Sequence, residues 1–332
     1  MTTAARTEPG DDTARHAHAL RPATVADLPT CATVWRDALN DYLGRLAQPE
    51  IPDDLGPILR LYAHLQSTDP TRFVVAERKG ADGAAVIDGF GAALVRDGLW
   101  FLSMLFVRPS AQGRGLGRRL LDAIGPESGW EARGGVRATA TDSVQPISNG
   151  LYGSLGIVPR TPLLRLVGRA ERPDALPPLP EDIEVTPFED VDRSGDGLGT
   201  SALGAELAAL DRDGLGFERA ADHAFLAAEG RRGFLYCDRA GRPRGYGYSS
   251  ESGRVGPVVV AEAALLGPVV GHLVTAVEPR GAFGVWAPGL AGEAIVPLLN
   301  AGFRMDGFPV LLCWDRPFAD FSRVLPISPG LL

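Results

Sequence analysis

Thiols are scarce: Cys31, Cys237 and Cys313 stand far apart in a chain of 332 residues. That spacing excludes a disulfide framework and the paired cysteines of zinc or redox sites. Nor is there an excess of positive charge. Lys and Arg number 33 against 41 Asp and Glu, a net −8, so the overall field disfavours a nucleic acid partner and suits a cationic or neutral small molecule. His64, His223 and His272 show no metal-ligand spacing, and no metal is expected. No apolar run is clean enough for a bilayer, because residues 258–277 are interrupted by Glu262, Pro268 and His272. A central carboxylate alone costs about 2.5 to 3.5 kcal/mol in a membrane, so this stretch reads as a buried strand followed by a helix, with no membrane partner. Residues 1–18 lack an apolar segment and read as a disordered tail rather than an export signal. Free thiols and the missing leader together point to a cytoplasmic protein.

What is present is an ordinary globular composition, 45% hydrophobic and 22% charged, at a length that suits two domains of about 150 residues each. A short strand at 20–22 is followed by Thr24-Val25-Ala26-Asp27, a capping box for a helix reaching Tyr42. A second helix is predicted over 55–66, and β-rich runs at 72–77, 89–95 and 99–107 form a meander. The period then changes. Leu116, Leu120, Leu121 and Ile124 fall at helical spacing, residues 136–141 alternate as a strand, 147–155 form a helix, and 163–167 a closing strand. Pro173, Pro177, Pro178 and Pro180 mark a stiff linker over 169–182.

Beyond the linker the plan repeats. Thr186-Pro187-Phe188-Glu189 offers a capping box after a short strand, and residues 233–237, 245–249 and 254–260 make a second meander. Tyr152-Gly153-Ser154-Leu155-Gly156-Ile157 before Pro162-Leu163-Leu164 corresponds to Leu298-Leu299-Asn300-Ala301-Gly302-Phe303 before Pro309-Val310-Leu311. This is an internal duplication with a period near 146 residues, from Tyr152 to Leu298, too long for a solenoid.

The segment richest in chemistry is Phe106-Val107-Arg108-Pro109-Ser110-Ala111-Gln112-Gly113-Arg114-Gly115-Leu116-Gly117-Arg118-Arg119, a glycine-rich turn between a strand and a helix. Residues without side chains let backbone approach an anion, and the unpaired amides and dipole of a helix start favour phosphate. A P-loop would need Lys and then Ser or Thr after the last glycine, where Arg118 and Arg119 stand, and a dinucleotide fold would need Gly at 118. Ser154 lacks the first glycine of a nucleophile elbow and reads as a helix-end residue. Cys31 lies in a predicted helix with no adjacent His and reads as a buried thiol.

The glycine-rich run is similar to the acyl-CoA-binding motif of the GNAT acyltransferase superfamily: Gln or Arg, two residues, Gly, one residue, Gly or Ala. Gln112, Gly115 and Gly117 fill it, and Val107, Pro109 and the order of elements from Leu20 to Val167 agree. The resemblance implies an α/β fold of two tandem GNAT-like domains, each a mixed, mostly antiparallel sheet flanked by helices. A catalytic domain would span 19–168 and a degenerate copy 183–332. It further implies acetyl-CoA, or another acyl-CoA, as cosubstrate. Phe106 and Val107 would pair with pantetheine, and Gln112, Gly113, Arg114, Gly115, Leu116, Gly117 and Arg118 would hold the diphosphate.

Tyr152, with Gly156 and Ile157 after it, resembles the family tyrosine that acts as general acid. A departing thiolate must gain a proton, and a phenol with an ordinary pKa of about 10 can donate it. An ammonium acceptor must also lose one. Many relatives place a Glu on the fourth strand for this, but residues 99–107 contain no carboxylate; Ser103 and Asp142 are the remaining candidates for the base, Asp142 also reading as a turn cap. Asp41, Tyr42, Glu50, Asp53 and Asp54 lie where such enzymes wall the acceptor side; they could draw an ammonium ion or simply form a solvated face.

In the second half Leu298 takes the place of Tyr152, and Ala261-Glu262-Ala263-Ala264-Leu265-Leu266-Gly267 lacks the glycine cradle. That half reads as a scaffold, a wall of the acceptor site or an interface, compatible with a homodimer. The expected activity is transfer of an acyl group from CoA to a small amine by direct attack. The alternatives are a sensor that binds acyl-CoA without catalysis, and a transferase of the same fold using another acyl donor such as aminoacyl-tRNA.

Overall fold

The capping box at Thr24 forms: its backbone N–H donates to the Asp27 carboxylate at 2.8 Å, as does its hydroxyl. One turn of 3-10 helix over Val25–Asp27 then leads into α1 (Leu28–Arg45), so the regular helix starts three residues later than the box suggested. This region belongs to the first of two compact units into which a computed structural model divides, Met1–Val95 with Leu102–Gly129. The second is Arg96–Phe101 with Trp130–Leu332. The structure describes residues 18–191 and 202–332. Residues 1–17 of the expected tail lie outside these, but His18 is placed by a 2.9 Å bond to Asp88.

In the first unit β1 (Ala19–Pro22), α1, α2 (Gly56–Thr68), β2 (Phe73–Lys79), β3 (Ala85–Arg96), β4 (Leu99–Val107) and α3 (Leu116–Ile124) follow in order. The sheet order is β1-β2-β3-β4, with β1–β2 and β2–β3 antiparallel. An aromatic core of Tyr62, Phe73, Phe90 and Phe106 joins α2 to three of these strands through ring contacts at 5.3 to 5.9 Å. On α3 the residues predicted at helical spacing, Leu116, Leu120, Leu121 and Ile124, are all buried. Glycines allow that helix to sit close: a Cβ at Gly89 would lie 3.2 Å from Leu120, and one at Gly91 2.8 Å from Ile124.

The second unit continues with β5 (Val136–Asp142), α4 (Pro146–Gly153), β6 (Val158–Gly168), β7 (Ile183–Pro187) and a single turn α5 (Phe188–Val191). Then come α6 (Ala202–Leu215), α7 (Ala220–Ala228), β8 (Arg232–Asp238), β9 (Pro243–Ser249), β10 (Arg254–Val260) and α8 (Leu266–Ala276). The chain closes with β11 (Phe283–Pro288), α9 (Gly292–Ala301), β12 (Arg304–Met305), β13 (Val310–Trp314) and β14 (Val324–Leu325). The strands run in the order β5-β13-β6-β11-β10-β9-β8-β7, with β12 beside β6 and β14 beside β10. Among the described residues the pairings in this series are antiparallel except β10–β11. The mixed, mostly antiparallel sheet expected from the sequence is therefore present.

Residues 258–277 form β10 and α8, whose valines and leucines build the core of this unit with Phe283, Val285 and Leu298. Among the described residues no helix is long and apolar enough to cross a membrane. The proline-rich stretch is not an extended spacer. It holds a short turn at Pro173–Ala175, and Leu176 and Pro177 press onto α8, where a Cβ at Gly267 or Gly271 would lie 3.1 to 3.3 Å from them. Strand β13, from near the end of the sequence, runs between β5 and β6 from the first half. The compact units therefore divide within β3 and β4 and before Trp130 rather than at the prolines.

Candidate active site

Strand β4 ends at Val107 and a short turn over Pro109–Ala111 delivers the chain to Gln112. The Gln112 side chain folds back, its Nε2 donating to the Val107 carbonyl at 2.8 Å. Gly113 and Gly115 then adopt φ values of +76° and +77°, a conformation that any residue with a Cβ adopts only under strain. Space is not the reason for glycine there, since a Cβ at either position would meet nothing within 4 Å. Residues 112–115 are exposed, and α3 begins directly with Leu116 packed inward.

Among the described residues the backbone amides of Gly113, Arg114, Gly115, Leu116 and Gly117 donate to no protein acceptor, the first amide bond of the helix being Arg119 N–H to Gly115 O at 3.1 Å. The turn is an open row of amides at a helix N-terminus, with no side chain plugging it. Such a row suits an oxyanion of a diphosphate. Arg119, not among the residues expected to hold the diphosphate, ties the first turns of α3 to the start of β1 by donating to the His18 carbonyl at 2.8 Å. Ser103 lies within β4, half-buried.

The acidic residues near α1 are engaged locally. Asp41 pairs with Arg45 on the same helix, Asp53 with Arg36 at 2.8 Å, and Asp54 accepts the Gly56 amide at 2.9 Å. They have the partners of a solvated face.

In the second unit Tyr152 lies on α4, 6% exposed, with Cys313 of β13 among its electrostatic neighbours. Burial drives the phenol well above its usual pKa and the Cys313 thiol to about 12, so both hold their protons through the physiological range. The Tyr152 hydroxyl makes no hydrogen bond among the described residues, so no protein group competes for its proton. One turn earlier Asn149 donates to the carbonyls of Asp142 at 2.9 Å and Gln145 at 2.7 Å, while its buried Oδ1 is without a partner. The sequence offered no signal for Asn149, because its bonds run to backbone.

Asp142, at the end of β5, accepts the Val144 amide at 3.0 Å and so does act as a turn cap. Ser154 is the helix-end residue expected, its hydroxyl donating to Leu151 O at 2.7 Å. Cys31 is buried with its pKa raised to about 12, an inert thiol. No group of three or more His, Cys, Asp or Glu side chains placed to hold a metal occurs among the described residues.

Comparison with known proteins agrees with this geometry. Residues 69–156 match the family model described as the acetyltransferase (GNAT) domain, which takes in β2 through α4 and the open turn. No curated protein sequence matches. Among solved structures the chain resembles a proposed acetyltransferase from Pyrococcus horikoshii, with TM-score 0.64 and 15% identity over 96% of this chain and 95% of that one. It also resembles a GCN5-related N-acetyltransferase from Sphaerobacter thermophilus, with TM-score 0.56 and 18% identity over 93% and 99%. A tandem GNAT protein from the clavulanic acid biosynthesis pathway matches with TM-score 0.53 and 14% identity over 90% and 99%. Residues 69–156 thus match the GNAT domain model, and the chain as a whole shares the fold of these solved proteins, one of them a tandem GNAT protein.

Proposed function

We propose that the protein transfers an acyl group, most simply acetyl, from coenzyme A to a small amine. The observation that carries this reading is the unplugged turn after β4, where the amides of residues 113–117, at the start of α3, meet no acceptor among the described residues. Phe106 and Val107, at the end of β4, are assigned to the pantetheine arm, and Gln112 to Arg118 to the diphosphate. Gln112 has a local part as well, since its bond to Val107 O holds the turn against the strand end.

Transfer by direct attack forms a bond from the amine nitrogen to the acyl carbon and breaks the bond from that carbon to sulfur. The thiolate that leaves takes a proton, and the nitrogen releases one. Tyr152 is assigned the first proton. Burial holds its phenol protonated, and among the described residues its hydroxyl makes no hydrogen bond, which suits an acid that must donate only when thiolate develops. The second proton is assigned to Ser103 through a water or to Asp142. An acceptor already neutral at working pH is spared only the deprotonation before attack; its nitrogen still releases one proton, to the same base or to water, as the amide forms.

The test is release of free CoA thiol from acetyl-CoA in the presence of a panel of small amines, with mass spectrometry of the products. Acceptor-dependent release with a matching acetylated product is expected. Binding of acetyl-CoA by calorimetry without any acceptor-dependent release would identify a sensor instead. Absence of binding to any acyl-CoA would overturn the donor assignment.

A further inference from the structure

In the second unit the strands equivalent to β4 and β5 by strand order are β10, the last of its meander, and β11, the next strand along the chain. They are parallel neighbours over two positions only, Arg254 beside Gly284 and Val255 beside Val285. Beyond these β11 continues along β6, its Pro288 opposite Leu163, while β10 keeps β9 on its other edge as far as Val260 opposite Gly245. The two strands therefore part, and the β11-facing edge of β10 from residue 258 onward is released from its neighbour. An unpaired inner edge is a row of unsatisfied amides and carbonyls and must find a partner.

The partner is the chain itself. Strand β14 lies antiparallel on that edge, Leu325 opposite Val258 and Val324 opposite Val259, and the Val260 amide donates to Arg323 O at 3.1 Å. Val324 and Leu325 are fully buried. The approach is close enough to require glycine at the start of the gap, since a Cβ at Gly256 would lie 3.0 Å from the Pro326 carbonyl. Both ends of the segment are fastened. Arg323 reaches the Ala261 carbonyl at 3.1 Å and pairs with Asp320 at 3.0 Å. At the other end the buried Arg219 donates to the Leu332 carbonyl at 2.6 Å.

Residues 258–260 end the last strand of the second meander as 105–107 end β4, the last strand of the first, which the functional reading gives to pantetheine. We propose that residues 320–332 are a peptide strap seated in the coenzyme cleft of the second GNAT-like domain. It takes there the backbone pairing that a pantetheine arm would take, so that the chain binds one acyl-CoA and not two. This rests on the functional reading for the identity of the ligand excluded, and on the pairing of β14 with β10 for the exclusion itself. It also accounts for the valine run at 258–260, which needs no ligand-facing side chain when a strand with buried Val324 and Leu325 covers it.

Hydrogen exchange on the full chain, read by mass spectrometry with and without acetyl-CoA, separates the two claims. Without ligand, peptides covering 256–261 and 322–327 are expected to exchange at least about 10³-fold slower than unpaired backbone. Saturating acetyl-CoA should leave both unchanged while slowing the 106–118 peptide, and calorimetry should give one site per chain. Rapid exchange at 256–261, slowing of that peptide by acetyl-CoA, release of 322–327 by the ligand, or two coenzyme sites would each overturn the strap. Absence of any effect at 106–118, with 256–261 and 322–327 protected together, would instead overturn the donor assignment and leave the strap standing.

Discussion

Replacing Asp211 with Asn tests how the core of the second unit is held. Asp211 is fully buried and accepts from Arg219 Nε at 3.2 Å, His223 Nε2 at 2.9 Å and the Tyr246 hydroxyl. Arg219 is equally buried, and its other bonds go to the Tyr246 oxygen and Leu332 O, both at 2.6 Å. His223 in turn meets the Tyr248 hydroxyl at 2.8 Å. Asn keeps the shape of the side chain but removes its charge, so the guanidinium loses its counter-ion where no water can replace it. Breaking a buried pair from one side costs about 3 to 5 kcal/mol. In a unit of about two hundred residues each kcal/mol shifts Tm by about 2 to 4 °C, so a fall of about 6 to 20 °C is expected. Thermal unfolding followed by circular dichroism reads this directly, and the loss should persist at high salt because a buried pair is little screened. Pairing Asp211→Leu with Arg219→Met should restore at least half of the loss, since the orphaned charge is then gone. A Tm for Asp211→Asn within about 2 °C of the parent would refute the claim that this pair carries the core.

The other expectations are quicker to state. Tyr152→Phe should lower kcat by about 10² or more, with the acetyl-CoA Kd unchanged, if the phenol donates the proton; equal kcat values would remove it from the mechanism. Gly115→Val forces a β-branched residue to φ +77° and should raise the KM for acetyl-CoA at least about tenfold, an effect of about 1.4 kcal/mol, with an unchanged KM counting against the cradle. Asp27→Asn should destabilise the first unit by about 1 to 2 kcal/mol at pH 7, because the carboxylate caps Thr24 and takes two bonds from Arg21. Arg21 above all holds that carboxyl far below its usual range, so the contribution is complete above the unfolded value near 4 and lost as pH falls toward the folded one. Urea unfolding at pH 7 and at about pH 2 should show the gap between parent and variant narrow at the lower pH.

Local rules made much of this chain legible. The box at Thr24, the α3 stripe, the strands of both meanders and the helix-then-strand ends of the duplication follow from periodicity and caps, which act over a few residues. The open turn was legible for the same reason: positive φ at Gly113 and Gly115 is a local requirement. What could not be read was who pairs with whom across the chain. Nothing in the text of β13 announces that it lies between β5 and β6, and Leu176 and Pro177 gave no sign that a proline-rich stretch would pack on α8. The Asp211 network joins ordinary residues scattered from 211 to 332, a pattern with no spacing rule. Asn149 escaped notice because side-chain bonds to backbone leave no partner residue type to search for.

The insertion of β13 between β5 and β6 also governs how the polypeptide matures. Arg137, at the start of β5, is anchored through its amide and guanidinium to Asp315, 178 residues further on. During synthesis β5 and β6 therefore wait, without the strand that separates them, until residues 310–314 have left the ribosome. Such distant contacts slow folding and lengthen exposure to wrong partners. A polypeptide ending at the proline-rich stretch would leave β5 bare on one edge and β6 on both, since β13 and β11 come later, and co-expressed fragments cut there would be expected to rescue one another only by assembling around β13.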